Sequence, residues 1–164
     1  MMKELTTYYL EMKSPAELRG KAESSSVEVR EIGIKQFQFN RFLYQLVGQD
    51  WDWTYKNPWT DEEWISYAEN ENLRTWVGYR KGTPAGYFEL RQIDSDTEIA
   101  SFGVAPAFIG QGLGGYLLTR ALECAWSWSG TQRVWVHTCT TDHPRALANY
   151  TARGFELYHT KISG

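Results

Sequence analysis

Apolar and polar residues alternate in several short segments of the chain, and a period of two residues is typical of β-strands. Two such segments come first, separated by a polar, turn-rich stretch over 14–26 that we interpret as a surface loop. Three more follow in the middle of the chain, joined by the tight connections "KGTP" and "IDSD", which predicts an antiparallel meander. The predicted strands are 6–12, 27–32, 74–80, 85–91, 98–104 and 133–138, with one more after Phe155.

Other segments place apolar residues every three or four positions, which is the spacing of an amphipathic helix. Thr60 followed by Glu63 has the form of a capping box at the start of one of these helices. Pro144 stands in the first turn of another, and Gly154 stands just past its end, an arrangement that helices favour. The predicted helices are 36–48, 60–70, 112–127 and 144–153.

The order of these elements, ββ-αα-βββ-α-β-α-β, predicts a single domain over 1–164 in the α+β class, with one mixed α/β sheet and about four flanking helices. The helix at 112–127 connects the strand at 98–104 to the strand at 133–138. Because a strand–helix–strand connection is a parallel crossover, we expect a mostly antiparallel sheet with one parallel pair. A chain of 164 residues is long enough to bury a core of its own.

Composition narrows the classes of function. The formal net charge of −3 provides no electrostatic attraction to nucleic acid or to an anionic membrane, so neither is an expected partner. Three histidines and two cysteines argue against a zinc site, and we expect no metal. Cys124 and Cys139 fit free thiols in a reducing cytoplasm, and no stretch approaches the roughly 18 apolar residues of a membrane span. A cytoplasmic location is therefore expected.

The segment "FIGQGLGGYLL" over 108–118 is rich in glycine, and Gly110, Gly112 and Gly115 match the spacing G-x-G-x-x-G. A nucleotide P-loop requires Gly-Lys-Ser/Thr, which is absent here. A dinucleotide-binding fold has its glycines after the first strand, whereas only about 50 residues follow these glycines. Two interpretations remain, namely a turn packed closely on the sheet, or backbone N–H groups at a helix start that bind an anion.

Two motifs resemble those of the GNAT superfamily of N-acetyltransferases. The stretch "ASFGVAPAFIGQGLGGYLL" resembles the acyl-CoA motif, in which a strand ending in hydrophobic-x-Val leads through Q/R-x-x-G-x-G/A into a long helix. The stretch "PRALANYTARGF" is similar to the second signature, A-x-x-x-Y-x-x-x-G-F, at Ala146, Tyr150, Gly154 and Phe155. The resemblance covers the chain from residue 74 to its end, and it implies a GNAT-like sheet whose parallel strand pair splays apart at the acyl-CoA site.

The resemblance implies that acetyl-CoA is the acyl donor, with its diphosphate at the start of the helix at 112–127. Two positions depart from the family pattern, since Ile109 stands where Arg or Gln is usual and His143 where Asn is frequent. His143 either binds a pantetheine amide or caps the helix before Pro144. The implied coenzyme-binding residues are Phe102, Val104, Gln111, Gly112, Leu113, Gly114, Gly115 and His143.

Acetyl transfer from a thioester to an amine needs a neutral amine, a stabilised oxyanion and a protonated leaving thiolate. An amine with a pKa of about 10.4 is mostly protonated at neutral pH, so a base or a desolvating pocket is required. Glu98 and Glu89 are the candidate bases, and they share a sheet face if the "IDSD" loop is even in length; a water chain is the alternative. The resemblance implies that Tyr150 protonates the thiolate and that the Val104 N–H binds the thioester carbonyl, while a core aromatic is the other interpretation of Tyr150.

Aromatic residues crowd the segment between the first two helices, "GQDWDWTYKNPW", which in GNAT folds borders the acceptor pocket. With Asp50 and Asp52 they fit an aromatic, acidic cage around an ammonium group. The alternative is that the rings fill the core beneath a long loop. The candidate acceptor-binding residues are Trp51, Trp53, Tyr55 and Trp59.

These observations predict an enzyme that passes the acetyl group directly to a primary amine of a small or amino-acid-like acceptor. The alternatives are acetylation of a protein or peptide, and a non-catalytic acyl-CoA-binding module. A ping-pong route through Cys139 would need an activating base, for which His137 and His143 are close in sequence. The tail after Phe155 has room for one strand where the family often has two, so a homodimer that covers the sheet edge is a further hypothesis.

Overall fold

The structure, a computed structural model, describes residues 4–21 and 26–163. Its elements follow the predicted order, because each grows from a local apolar pattern. The strands are β1 (Leu5–Met12), β2 (Glu28–Glu31), β3 (Leu73–Arg80), β4 (Thr83–Ile93), β5 (Asp96–Val104), β6 (Arg133–Cys139) and β7 (Glu156–Ser163). The helices are α1 (Phe37–Gly48), α2 (Asp61–Ala68), α3 (Leu113–Ser127) and α4 (Ala146–Ala152), with short 3-10 turns at Pro15–Glu17 and Pro106–Phe108.

All seven described strands form one sheet in the order β2-β3-β4-β5-β6-β1-β7. The pairs are antiparallel except for β5 and β6, which run parallel. This confirms the predicted mixed fold with a single parallel pair and four α-helices in the part of the chain that is described. The N-terminal strand β1 lies between β6 and β7, so the sheet has two strands beyond β6 although only one follows α4.

Strands β5 and β6 separate soon after they begin. Their pairing extends only from Asp96 to Glu98, whereas β5 continues to Val104. Just beyond the end of β5, the N–H of Ala105 donates to the carbonyl of Ala85 in β4, at 2.7 Å. Because N–H groups alternate sides along a strand, those of Val104 and Phe102 point towards the gap where β6 has diverged. The splay therefore opens a strand edge that can pair with an extended ligand.

The hairpin between β4 and β5 has a two-residue loop at positions 94–95, and Asp94 has a φ of 56°. The loop is even in length, and Arg91 lies directly opposite Glu98 in the register. Glu89 is two residues from Arg91 on β4 and therefore shares its face. Glu89 and Glu98 consequently lie on the same face of the sheet, which the sequence had left open.

Helices cover both faces of the sheet. Phe88 and Leu90 of β4 point to the face that α3 and α4 cover, where the largest apolar cluster forms around Leu118 and Leu122. Tyr87 points to the opposite face, where it packs with Leu43 and Val47 of α1. The capping box predicted at Thr60 and Glu63 is present at the start of α2. No helix of the described residues is long and apolar enough to cross a membrane.

Candidate active site

The start of α3 is built from the glycine-rich segment. Gly110 and Gly112 have φ angles of 85° and 80°, a backbone region that glycine enters without strain. Gly112 is the N-cap and provides no side chain to bond the first backbone N–H groups of the helix. These N–H groups have no partner within the helix, so the helix start can bind an anion.

Two basic side chains lie against this helix start. A Cβ built on Gly115 would lie 2.7 Å from Cδ of Lys21 and 3.0 Å from Nη1 of Arg153. Nε and Nη1 of Arg153 are buried and have no hydrogen-bond partner among residues 4–21 and 26–163. Because buried guanidinium nitrogens without acceptors are costly, these two atoms indicate a site where an anionic ligand would supply the missing acceptors.

A cleft of about 930 Å³ runs along the splay and past the start of α3. Gln111 does not line it, because its side chain is bound by Arg80 and donates to the Ala107 carbonyl at 3.3 Å. Ile109, which departs from the family pattern, does line the cleft. The other predicted coenzyme-binding residues also line it: Phe102, Val104, Gly112, Leu113, Gly114, Gly115 and His143.

His143 makes a capping contact before α4 and also lines the cleft. Its Nδ1 accepts a hydrogen bond of 3.0 Å from the backbone N–H of Arg145, which stabilises the turn before α4. Its ring also packs edge-on against Trp51, with the ring centres 4.8 Å apart, and both residues line the cleft. The imidazole therefore caps the turn and still faces the cleft.

A second cavity of about 550 Å³ lies on the α1–α2 side of the splay. It contains Trp53, Tyr55 and Trp59 of the predicted acceptor-binding set, whereas Trp51 lines only the first cleft. The residues that line both cavities are Trp53, Phe102, Asp142 and Tyr150. The two cavities thus meet at the gap between β5 and β6.

Tyr150 lies at this junction, on α4. Its side chain packs against Phe102 and Phe155, with ring centres 6.1 and 5.8 Å away. Burial, with a smaller contribution from Asp142, raises the pKa of Tyr150 well above its ordinary value. Tyr150 is therefore both a packed aromatic residue and a neutral phenol facing two cavities.

The two candidate carboxylates have different surroundings. Glu98 lines the second cavity, and its Oε1 accepts a hydrogen bond of 2.7 Å from Nη2 of Arg91. Its other oxygen lies 4.0 Å from Nε2 of His137. Glu89 is buried and accepts hydrogen bonds from Tyr67 at 2.6 Å and from Asn40 at 2.7 Å. Tyr67, which lines the cavity, separates Glu89 from it.

The aromatic residues of the second cavity surround the side chain of Lys56. The Nζ of Lys56 lies 3.9 Å from the centre of the Tyr67 ring. Three more rings, those of Tyr44, Trp59 and Trp64, have their centres 5.3 to 5.8 Å from the same atom. Trp59 is thus part of a cage around a protein ammonium group, while Tyr55 is 79% exposed.

Several residues of the site were not predicted from the sequence. Lys56 is the one basic residue in the aromatic segment "GQDWDWTYKNPW", and Tyr67 follows Trp64 at helical spacing. The sequence pattern could therefore have indicated both residues. Asp142 and Arg153 had none, because the contacts of both depend on distant elements. The Asp142 carboxylate accepts from Trp53 Nε1 at 3.2 Å and from the Thr138 hydroxyl at 2.8 Å, which positions Trp53 at the junction. Among the described residues no group of three or more His, Cys, Asp or Glu side chains could hold a metal ion.

Comparisons with solved structures show the same fold. A GCN5-related N-acetyltransferase from Kribbella flavida is 19% identical with a TM-score of 0.69, over 96% of this chain and 56% of that one. A GCN5-related N-acetyltransferase from Sphaerobacter thermophilus is 16% identical with a TM-score of 0.72, over 96% and 50%. The chain therefore spans about half the length of these two proteins.

A structure of similar size matches as well. An aminoglycoside acetyltransferase from an uncultured soil metagenomic sample is 17% identical with a TM-score of 0.65, over 85% of this chain and 99% of that one.

No curated protein sequence matches the chain. The model of the Acetyltransferase (GNAT) family matches residues 40–155, which include the glycine-rich helix start, the splay and Tyr150. The chain accordingly belongs to the GNAT acetyltransferase family.

Proposed function

We propose that this protein is an acetyl-CoA-dependent N-acetyltransferase that transfers the acetyl group directly to a primary amine of a small or amino-acid-like acceptor. The observation that carries the proposal is the junction of two cavities at Tyr150. One cavity has an anion-binding helix start, and the other is lined by aromatic and charged side chains. Such a junction allows a thioester from one side to meet an amine from the other.

The residues of the first cleft fit coenzyme A. The uncapped start of α3 and the unpaired Nε and Nη1 of Arg153 suit a diphosphate, and the absence of a side chain at Gly115 lets Lys21 and Arg153 lie against the helix. The free N–H groups of Phe102 and Val104 suit the amides of a pantetheine arm, which would add to β5 as a short strand. Acetyl-CoA supplies an activated thioester when it is bound.

Residues of the chain then provide the three things that the reaction needs: a neutral amine, a stabilised oxyanion and a stabilised leaving thiolate. The Val104 N–H, at the end of β5, donates to the thioester carbonyl as its oxygen gains negative charge. The attacking nitrogen forms the new C–N bond, the C–S bond breaks, and the sulfur leaves as a thiolate. Tyr150 donates a hydrogen bond to this thiolate. Since burial raises the pKa of Tyr150, the phenol stays protonated until the sulfur develops its charge.

We assign the second cavity to the acceptor and call it the acceptor cavity. Glu98 is the better candidate for the base, because it lines this cavity whereas Glu89 lies behind Tyr67. Glu98 takes the proton of the amine directly or through one water molecule. Glu89 then acts as a positioning residue that orients the Tyr67 ring. Direct transfer is favoured over a route through Cys139, because the only described hydrogen-bond partner of its sulfur is the Thr141 hydroxyl rather than a base.

A small acceptor is favoured over a protein, because the second cavity is a recess walled by aromatic rings from α1, α2 and the loop between them. A peptide would need an open groove along which its backbone could extend. The volume of about 550 Å³ is within the range of small-molecule sites.

The test is release of free thiol from acetyl-CoA in the presence of a panel of primary amines. We expect turnover with small amines, and Tyr150→Phe should lower kcat by about 10² to 10⁴ without weakening acetyl-CoA binding. Tyr158→Phe, on the exposed strand β7, is the matched control and should behave as the wild type. Tight acetyl-CoA binding without turnover across the panel would instead identify a non-catalytic acyl-CoA-binding module.

A further inference from the structure

The aromatic cage of the acceptor cavity already contains a cation of the chain itself. Lys56 is half-buried, and its Nζ lies within 5.8 Å of four ring centres. A backbone hydrogen bond also holds Lys56 in place, because its main-chain N–H donates to the Tyr44 hydroxyl at 3.2 Å. An acceptor amine would have to displace this ammonium group to enter the cage. The cage therefore serves to hold Lys56 rather than to bind the acceptor's own amine.

The Lys56 ammonium has attractive ring faces around it but no conventional acceptor. Among the described residues, none makes a hydrogen bond or an ion pair with its Nζ. Ring faces stabilise the positive charge without replacing the hydrogen bonds that an ammonium group makes in water. Lys56 thus has unused N–H donors in the acceptor cavity.

The other charged groups of the cavity are arranged differently. Arg91 is paired with Glu98, so its guanidinium is already neutralised. Asp142 accepts hydrogen bonds from Trp53 and Thr138 at the junction with the coenzyme cleft. The carboxylates that line the cavity are Asp52, Glu98 and Asp142, and of these only Asp142 also lines the coenzyme cleft. Lys56 lines the second cavity alone, so the unpaired cation lies away from the carboxylate at the junction. This polarity matches a ligand with an amine at one end and an anion at the other.

We propose that Lys56 binds a carboxylate of the acceptor, so that the acceptor is an amino acid or a related molecule carrying both an amine and a carboxylate. The inference rests on the proposed function, because it assigns a substrate class to the same cavity. A single negative charge matches the single unpaired ammonium group, whereas a phosphate dianion would be repelled by the carboxylates of Glu89, Glu98 and Asp142. Lys56 is thus a specificity-determining residue that sets which end of the acceptor faces Tyr150.

Binding of product-like ligands tests the proposal without requiring turnover. N-acetyl amino acids and their matching primary amides differ only in the carboxylate, and neither has an amine to acetylate. Calorimetry in the presence of saturating coenzyme A, together with quenching of tryptophan fluorescence, measures their affinities. The variants are Lys56→Met, Lys56→Arg and, as a matched control, Lys161→Met on the exposed strand β7.

We expect the wild type and Lys161→Met to bind the carboxylate of each pair about tenfold or more tightly than the amide. Lys56→Met should lose this preference while its affinity for the amides is unchanged, and Lys56→Arg should retain part of it. Three results would each overturn the proposal. The wild type could bind the carboxylate and the amide of each pair equally, it could bind no carboxylate at all, or Lys56→Met could keep the preference for the carboxylate. Circular dichroism confirms that the variants fold, and Lys56→Gln serves as a second neutral variant.

Kinetics separate this inference from the proposed function. If amines are turned over and amino acids have the same KM as their amides, the role of Lys56 is wrong while the acetyltransferase assignment stands. If the protein binds the carboxylates more tightly than the amides but no free thiol is released from acetyl-CoA with any amine, the anion site stands and the enzymatic assignment fails. The result that supports both is a KM for amino acids that rises in Lys56→Met with kcat little changed.

Discussion

The hydroxyl of Tyr67 donates a hydrogen bond of 2.6 Å to Oε1 of Glu89, a carboxylate that is only 1% exposed. Asn40 donates to the other oxygen at 2.7 Å, so the buried charge has a hydrogen bond on each side. The Tyr67 ring in turn contacts the Lys56 ammonium. A carboxylate in the core beneath α1 and α2 therefore fixes a ring that lines the second cavity.

Removal of the Tyr67 hydroxyl should destabilise the protein. In Tyr67→Phe one oxygen of buried Glu89 loses its donor, and we expect the free energy of unfolding to fall by about 1–3 kcal/mol. Denaturant titration measures the change, with Tyr55→Phe as the control because that ring is 79% exposed. An unfolding free energy in Tyr67→Phe equal to that of the control would contradict the assigned hydrogen bond.

The Tyr150 hydroxyl should act as a neutral group over the whole range of a kinetic assay. Because burial raises its pKa well above the ordinary tyrosine value, the phenol does not ionise between about pH 7 and pH 10. The ratio of the rates of wild type and Tyr150→Phe should therefore stay constant with pH. A ratio that shrinks as the pH approaches about 10 would show that Tyr150 ionises like an exposed tyrosine.

Arg153 should contribute to coenzyme affinity through its unpaired guanidinium. We expect Arg153→Met to weaken acetyl-CoA binding by about 10- to 100-fold, the loss of a hydrogen-bonded ion pair with phosphate. Arg30→Met is the matched control, because the side chain of Arg30 on β2 is 71% exposed. Calorimetric titration with acetyl-CoA distinguishes the two, and unchanged affinity in Arg153→Met would remove this residue from the phosphate site.

Gly48, at the end of α1, packs against the side chain of Trp53. A Cβ at this position would lie 2.3 Å from Cβ of Trp53, one of the four residues that line both cavities. Gly48→Ala should therefore displace Trp53, costing about 1–3 kcal/mol of stability and raising the KM for the acceptor. In the control, Gly33→Ala, the added methyl group meets no atom within 4 Å. Thermal unfolding and steady-state kinetics measure the two effects, and identical results for both variants would contradict the steric argument.

The preference for carboxylate ligands should depend on pH through Lys56. Burial lowers the pKa of Lys56, with Glu89 acting in the opposite direction. The ammonium group is charged below this pKa, so the preference is present at low pH and is lost as the pH rises through it. The charged or titratable groups around Lys56 are Tyr44, Tyr67, Glu89, Arg91 and Glu98.

Lys56→Arg is the control for this pH dependence. Arginine keeps its charge at every accessible pH, so any preference in that variant should not decline on the alkaline side. Burial also raises the pKa of Tyr44 and of Tyr67, which keeps both rings neutral in the same range. A preference that declines equally in both proteins would assign the titration to another group.

Local patterns predicted the type and order of the elements. The start of α4 differs, because its N-cap is Arg145 and Pro144 therefore precedes the helix instead of standing in its first turn. The bounds of α3 differ from the prediction by one residue, and the capping box of α2 is where Thr60 and Glu63 indicated it. The GNAT family followed from two motifs that also lie in continuous segments. These features could be predicted because helix caps, strand alternation and glycine-rich turns depend on neighbouring residues in the chain.

Features that depend on long-range pairing could not be predicted in this way. The place of β1 between β6 and β7 depends on backbone hydrogen bonds with segments more than one hundred residues away. The common face of Glu89 and Glu98 required the actual loop geometry of the β4–β5 hairpin.

The sequence by itself determined the order of the elements, the glycine-rich helix start and the family. The tertiary structure decided that four aromatic rings surround Lys56 and that Tyr67 covers Glu89. It also decided that Arg153 lies beside Gly115 with its Nε and Nη1 unpaired among the described residues. The physical reason is that the free energy of an ion depends on the groups around it in space. These groups come from α1, α2, α4 and the central strands, and only the folded sheet brings them together.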